Sequence, residues 1–499
     1  FRSQVLAVFL IYGMFKLYRK PFGKSENLNP WGYYGIQLVC LVVVIPFCIF
    51  GMRGGIGAAV RPITVSNANQ YVNRPIETGL VLNTPFAMIR TIGKKPFVVP
   101  AYYKDEAAME AVYTPVHTPA DSVQFRPLNV VVFIMESFGK EYIGALNKDL
   151  DGGAYKGYTP FLDSLISESL TFEYSFANGH KSIDGMPSVL SGIPMFVEPF
   201  FLTPASMNKV SGIGGELRKK GYYTAFFHGA ENGSMGFEAF SRATGFQDYY
   251  GRTEYNNDDD FDGRWAIWDE EFFQFFADEL SSFRQPFAAA LFSASSHHPF
   301  VIPKRYTGKF PKGTLPIHQC IGYSDYALKR FFEKASHESW FNNTLFVITA
   351  DHTNQTEHPE YMTESGTFAV PVIFYQPGGT LKGHIDAIAQ QIDIMPTVLG
   401  YLGYDKPYIS FGCDLLATPT SQTSAVNYIG GVYQYHKGRY LLQFDGKESV
   451  ALYDFVSDRL LEHNLLGTLP EIQSSMESEL KAIIQQYMTR MNTDKLVCE

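Results

Sequence analysis

The sequence predicts an α/β protein: a mainly parallel sheet sandwiched by helices, preceded by transmembrane helices and followed by a small C-terminal antiparallel-sheet subdomain. Three observations carry this expectation. From Pro127 onward, short and wholly apolar runs alternate with longer helical stretches, the pattern of strands buried on both faces of a helix-covered sheet. Ahead of them, Trp31 to Met52 holds no charged residue. Behind them, Asn427 to Phe455 breaks into β-rich runs around Asp445-Gly446, a pair that favours a hairpin because glycine tolerates positive φ.

The chain opens at Phe1, already inside an apolar stretch, Val5 to Tyr18 (VLAVFLIYGMFKLY). This reads as the tail of an earlier span, so upstream spans are expected to be missing. Trp31 to Met52 (WGYYGIQLVCLVVVIPFCIFGM) is long enough to cross a hydrocarbon core, which takes about 20 apolar residues. Its leading Trp and Tyr suit the membrane interface. A buried core helix is the alternative, but such helices are usually shorter. Lys16, Arg19, Lys20 and Lys24 precede this stretch, and only Arg53 and Arg61 follow it closely. The positive-inside rule then places the 16–30 loop in the cytoplasm and everything after about residue 52 outside.

Residues 53–126, rich in Gly, Pro and polar residues, read as a surface connector with a helical turn around Lys104 to Val112. Five strands are expected next, at Leu128–Met135, Tyr223–Phe227, Phe287–Phe292, Thr344–Ile348 and Val370–Tyr375. Helices are expected at Thr159–Glu168, Gly214–Lys220, Asp269–Phe283 and Gly322–Ser336. Chemistry in such a sheet sits beyond the C-terminal strand ends. Pro470 to Met491 reads as an amphipathic closing helix.

Composition narrows the function. With 499 residues the chain exceeds one ordinary core and points to two to four domains. A net charge of −9 without a long run of one sign lacks the basic footprint of a nucleic-acid binder. The five cysteines are scattered, two of them in the apolar stretch and none in a C-x-x-C pair, which argues against a disulfide framework or a cysteine zinc site.

Four places carry chemistry. Glu136 follows the first strand (NVVVFIMESFGK), where a carboxylate meets the cleft as a metal ligand, a cap or an ion-pair partner. Asp351 and His352 follow the fourth strand together (FVITADHT). They offer mixed oxygen and nitrogen ligands, or an Asp that orients its His. Ser182 precedes a helix expected from about Asp184, and a serine there either caps the helix or meets an anion. His297 and His298 lie in the loop after the third strand (SSHHPF), as a surface turn or as partners of a phosphoryl oxygen or leaving group.

Together, ESFGKEYIG, GHKSIDGMPSVLSGIP, SSHHPF and TADHTNQTEH resemble the motifs of the sulfatase-like lipoteichoic acid synthases and related phosphoglycerol or phosphoethanolamine transferases, of the alkaline phosphatase superfamily. RGG at 53–55 and QQIDIMPTVLGYLG at 390–403 resemble the same family. The resemblance implies that Glu136, Asp351 and His352 bind one divalent metal ion, Mn²⁺ or Zn²⁺ with Mg²⁺ as an alternative. Ser182 then matches the metal-bound nucleophile, a threonine in those synthases, and His297 contacts the substrate phosphate. Lys181, Asn232, His297 and His298 are expected on the substrate side. One departure stands out: where the synthases carry Trp-Asn-Arg, this chain has Met235, Gly236 and Phe237, so a phosphate-clamping arginine is absent there, and Asn232 or Arg242 is its substitute.

The implied activity is transfer of a phospho-alcohol group from a membrane phospholipid to a cell-envelope glycan or lipid acceptor, through a covalent Ser182 intermediate. The alternatives are a phosphatase or phosphodiesterase using water, a sulfatase, and an inactive envelope scaffold. Against a sulfatase, the residues after Ser182 lack the Pro/Ala and Arg of the formylglycine motif. The implied organisation is a truncated transmembrane region at 1–52 (helices about 5–18 and 31–52), a connector at 53–126 wrapping the next unit, a sulfatase-like catalytic domain at 127–425, and C-terminal strands with a closing helix at 426–499. The chain would sit in the cell membrane with its catalytic domain extracytoplasmic.

Overall fold

The computed structural model describes residues 29–53, 77–93, 97–119 and 124–498, with a few isolated positions before residue 73. The helix expected over about 5–18, the basic loop 16–30 and the RGG at 53–55 lie almost wholly outside the described residues. The chain divides into two units, Phe1–Ile63 and Thr64–Glu499.

In the first unit, helix α1 (Pro30–Arg53) starts at Asn29, whose side chain accepts the Trp31 N–H at 3.1 Å. Its Pro30–Gly51 stretch is 22 residues long with a mean hydropathy of 2.3, and none of its apolar window is buried. By length and composition this helix is able to cross a membrane.

The second unit is built on eight strands: β1 (Asn129–Met135), β2 (Leu170–Phe176), β3 (Tyr223–His228), β4 (Asp248–Tyr250), β5 (Phe287–Phe292), β6 (Thr344–Ala350), β7 (Val372–Tyr375) and β8 (Gly383–Gln390). Their order across the sheet is β4-β3-β5-β1-β6-β7-β2-β8. All neighbours are parallel except β7, which runs antiparallel to both β6 and β2. Every residue of β1 is buried, and its side chains alternate with the period-2 pleat. Val130, Val132 and Ile134 enter one core; Val131, Phe133 and Met135 enter the other. The central strand is thus the seam between two helix layers, and its wholly apolar sequence follows.

Helices α2 (Pro160–Ile166), α3 (Ser182–Ser191), α4 (Ile213–Arg218), α5 (Asp269–Ser282), α6 (His318–Ala335) and α7 (Ile394–Leu402) flank the sheet. All five expected strands form, although the last runs antiparallel. The sequence reading missed β2, β4 and β8. Strand β2 carries exposed Glu173, and β8 is exposed over its first residues and buried only toward its end. Neither presents the continuous apolar run that marks a strand buried on both faces, and β4 has only three residues.

After the sheet, β9 (Ser424–Ile429), β10 (Val432–Lys437), β11 (Tyr440–Phe444) and β12 (Ser449–Tyr453) form an antiparallel meander. Its first turn is Gly430-Gly431, both at positive φ. Helix α8 (Pro470–Thr493) buries Leu480, Ile484, Tyr487 and Met491. Residues 97–119 lie along this face: the Tyr102 hydroxyl donates to the Gly446 carbonyl at 2.6 Å, and the Tyr103 N–H donates to Gln485 Oε1 at 2.9 Å.

Candidate functional site

Strands β1 and β6 are parallel neighbours paired through Met135 and Ala350. The next residues, Glu136 and Asp351, therefore leave adjacent C-terminal strand ends. Ser137 turns sharply there, with φ of 55°, a conformation uncommon outside glycine. Three hydrogen bonds hold it. Its N–H donates to Asp351 Oδ1 at 2.7 Å, its hydroxyl donates to Glu136 Oε1 at 2.6 Å, and the Asn354 amide donates to its Oγ at 3.1 Å. From the β5 end, Ser293 Oγ accepts the Glu136 N–H at 2.8 Å.

His352 follows directly. Its N–H donates to Asp351 Oδ1 at 2.7 Å, and its ring Nδ1 bonds the Thr353 carbonyl. A carbonyl only accepts, so Nδ1 carries the proton and Nε2 is left to face the cluster. That nitrogen lies 3.2 Å from Asp351 Oδ2 and 3.7 Å from Glu136 Oε1.

Ser182 is the first residue of α3, one step past Lys181 at the cap position. The helix thus begins two residues earlier than the sequence reading placed it. The Ser182 hydroxyl lies 3.1 Å from Glu136 Oε2 and 3.4 Å from His352 Nε2. Glu136, Asp351 and His352 are all buried, and each places a ligand atom within 4.8 Å of the others. Gln391, just after β8, donates to the Ala350 and Asp351 carbonyls at 2.6 and 2.8 Å, tying that edge of the sheet to the cluster.

The electrostatics call for a cation. Burial and the adjacent charge of Glu136 push the Asp351 carboxyl up to about 8. Burial also opposes the Glu136 charge, but His352, His297 and the Ser137 hydrogen bond together hold its carboxyl below the usual range. Burial works against the His352 charge, and Asp351 and Glu136 outweigh it to raise that ring. Two buried carboxylates side by side do not both stay ionised without positive charge between them. Asp351 Oδ2 is fully buried and accepts no hydrogen bond. Two carboxylates, one imidazole and one hydroxyl fit a borderline divalent ion such as Zn²⁺ or Mn²⁺.

The other expected residues lie further out. His297 is half-buried, with Nδ1 2.9 Å from the His298 carbonyl and its ring 4.3 Å from that of Trp265. Its charge bears on both Glu136 and His228. His298 is exposed; its carbonyl also accepts the Trp265 indole N–H at 2.7 Å. A cavity of about 240 Å³ runs beside His297, lined by Asp262, Arg264, Trp265, Trp268 and Ser295. Lys181 is exposed beside the cluster, and its charge bears on His180 and Asp184. Asn232 is occupied elsewhere: its amide donates to Glu254 at 2.9 Å and accepts the Thr253 N–H at 3.2 Å. Arg242 pairs with Glu238 at 3.2 Å. Among the described residues, no hydrogen bond or ion pair joins Asn232 or Arg242 to the cluster.

Sequence reasoning passed over His180, Asp184 and His228. Asp184 is buried in the first turn of α3, and burial pushes it up to about 6 against the pull of Lys181 and His352. His180 is held neutral by burial, at about 4, with its ring 3.9 Å from Phe368. His228 ends β3, buried, at about 4 for the same reason. His180 and Asp184 stood inside the quoted GHKSID motif, but only packing reveals that Asp184 is buried and His180 partly so.

This sheet has the fold of proteins in the alkaline phosphatase superfamily. A superfamily protein from Vibrio parahaemolyticus aligns with a TM-score of 0.66 at 24% identity, covering 83% of this chain and 95% of that one. A lipoteichoic acid synthase from Listeria monocytogenes aligns with a TM-score of 0.63 at 22% identity, covering 77% and 98%. Residues 128–404 match the sulfatase family model, and the chain belongs to the sulfatase family. Among its relatives are lipoteichoic acid synthase 1 of Bacillus subtilis (strain 168), 24% identical over 327 residues, 60% of this chain and 49% of that protein, and phosphoglycerol transferase I of Citrobacter koseri, 27% identical over 274 residues, 51% and 33%. The match thus spans about half the length of the synthase and a third of the transferase.

Proposed function

We propose that the protein is a metal-dependent phosphotransferase that moves a phospho-alcohol group, phosphoglycerol or phosphoethanolamine, from a membrane phospholipid to a cell-envelope glycan or lipid acceptor. One observation carries this reading: the Ser182 hydroxyl lies within 3.1–3.4 Å of a buried carboxylate and imidazole, at the start of a helix and beyond the strand ends. Its relatives include lipoteichoic acid synthases and a phosphoglycerol transferase, and the apolar α1 would keep a lipid donor within reach.

Glu136, Asp351, His352 and Ser182 would hold the divalent ion. When bound, it supplies Lewis-acid stabilisation to the serine oxygen and to the phosphoryl group. The chain's own residues do the rest. Ser137 and the strand ends fix both carboxylates, and the Thr353 carbonyl fixes the His352 tautomer. The Ser182 hydroxyl gives up its proton as its oxygen attacks phosphorus, the bond from phosphorus to the lipid alcohol oxygen breaks, and that alcohol leaves with a proton, so none is gained or lost overall. His297, whose charge bears on Glu136, would hold a phosphoryl oxygen or deliver that proton. An acceptor hydroxyl then displaces the phosphoester from Ser182 and regenerates the free serine, so the kinetics are ping-pong.

The test is mass spectrometry of the full chain incubated with phospholipid vesicles. A peptide containing Ser182 should gain the mass of the phospho-alcohol group and lose it when acceptor is added. Ser182→Ala should abolish turnover while keeping the fold and most metal affinity. Residual phosphodiester cleavage by that variant would sink the mechanism. Release of the free phospho-alcohol at the same rate with and without acceptor would make the enzyme a hydrolase instead.

A further inference from the structure

A second ligand-bearing cluster lies where nothing in the proposed reaction needs one. Glu141, on the turn after β1, and Glu357 and His358, on the loop after His352, each place a ligand atom within 4.8 Å of the others. The Glu141 side chain is only 1% exposed. Its Oε1 accepts the Glu357 N–H at 3.0 Å and the His358 N–H at 2.7 Å, and lies 2.6 Å from His358 Nδ1. Its other oxygen, Oε2, is fully buried and accepts no hydrogen bond.

A His–Glu ion pair accounts for Oε1 but leaves Oε2 without a partner, and a buried carboxylate oxygen without one is costly. Asp351 Oδ2 is in the same state within the Ser182 cluster. Asp151 lies on the other side of the ring, 3.5 Å from His358 Nε2, and is a neighbour of the imidazole rather than a fellow ligand. The Tyr155 ring packs edge-on against His358 with centroids 5.0 Å apart, and the Thr314 hydroxyl donates to Glu357 Oε2. The ligand atoms of Glu141, Glu357 and His358 all lie within 4.8 Å of one another, close to the roughly 4 Å that separates donors across one ion held at about 2 Å from each.

We propose that Glu141, Glu357 and His358 bind a second divalent cation, with zinc the best match to one imidazole and two carboxylates. The ion would fasten the 140–158 segment to the 354–358 loop. These two segments leave Glu136 and Asp351–His352 respectively, and the Ser137–Asn354 and Tyr142–Gln355 hydrogen bonds already join them. The site shares no residue with the Ser182 cluster and has a structural role.

The test uses the full chain in detergent, loaded with zinc chloride, dialysed, and assayed for metal by elemental mass spectrometry. Wild type should retain two ions per chain, Asp351→Asn one, and Asp351→Asn/His358→Gln none. Zinc should raise the thermal midpoint of Asp351→Asn and leave that of the double variant unmoved. If the double variant fails to fold, Glu357→Gln in the Asp351→Asn background should weaken the remaining ion at least tenfold. Equal zinc in Asp351→Asn with and without the second substitution overturns the proposal. So does an Asp351→Asn protein that holds no zinc.

Discussion

Gly185 shows how closely the cluster is assembled. A Cβ added there would lie 2.6 Å from the Asp351 carbonyl oxygen and 2.8 Å from its Cα, inside any real contact distance. Helix α3 therefore meets the end of β6 through a bare backbone, and Ser182 stands beside His352 because of it. Gly185→Ala should push the helix back while leaving the hydrophobic core intact. A misplacement of about 1 Å costs roughly 100-fold in rate, so turnover should fall by about that factor with a near-normal circular dichroism spectrum. Unchanged kcat would separate helix position from activity. Glu136, Ser182, Asp351 and His352 were readable in the sequence as residues bound to meet, since three follow apolar strands directly and all fall in recognisable motifs. The φ of 55° at Ser137 and the burial of Asp184 and His228 were not. They depend on which strands become neighbours, and no local pattern encodes that.

At the scale of elements, the strands that were legible are those buried on both faces; β2 and β8 escaped because solvent reaches part of each. The C-terminal meander was legible from its β-rich runs and the Asp445-Gly446 turn, but not what it covers. His436 on β10 shows what that is. Its ring stacks on Phe176 of β2 with centroids 4.2 Å apart, and its Nε2 lies 2.7 Å from the Ser365 hydroxyl. Burial holds the ring neutral, at about 3. The folded ring thus titrates far below the unfolded value of about 6.5. The unfolded chain takes up the proton first, so this contribution to stability is complete above about pH 6.5 and is lost as pH falls toward 3. Between pH 7 and pH 5 the loss from this residue is about 2 kcal/mol. Urea unfolding of His436→Gln should show a correspondingly flatter fall over that range than wild type. Parallel curves would mean that the ring is already charged or reaches solvent. Phe133, central in β1 and packed on Phe273, Phe276 and Phe331, tests the core itself. Phe133→Ala should cost about 3–5 kcal/mol, read as a lower urea midpoint.

At the scale of the whole molecule, the two units differ in how much apolar surface each leaves exposed. Helix α1 leaves its apolar side chains exposed over 22 residues, about 33 Å at 1.5 Å per residue, which matches a hydrocarbon core of about 30 Å. In water that surface would be unfavourable by about 25 cal/mol per Å², whereas in a bilayer it needs no protein partner. The unit from Thr64 onward carries both cores and the whole Ser182 cluster. On the proposed function, α1 should therefore govern access to a lipid substrate and not the chemistry. The full chain should stay with membranes through an alkaline carbonate wash, and residues 64–499 alone should remain in the supernatant. On a water-soluble phosphodiester the two should share the same kcat/KM. On phospholipid vesicles the shorter chain should be slower by about tenfold or more, because it loses the effective concentration that tethering provides. Equal rates on vesicles would show that the donor reaches the cluster from solution, and α1 would then have no part in substrate delivery.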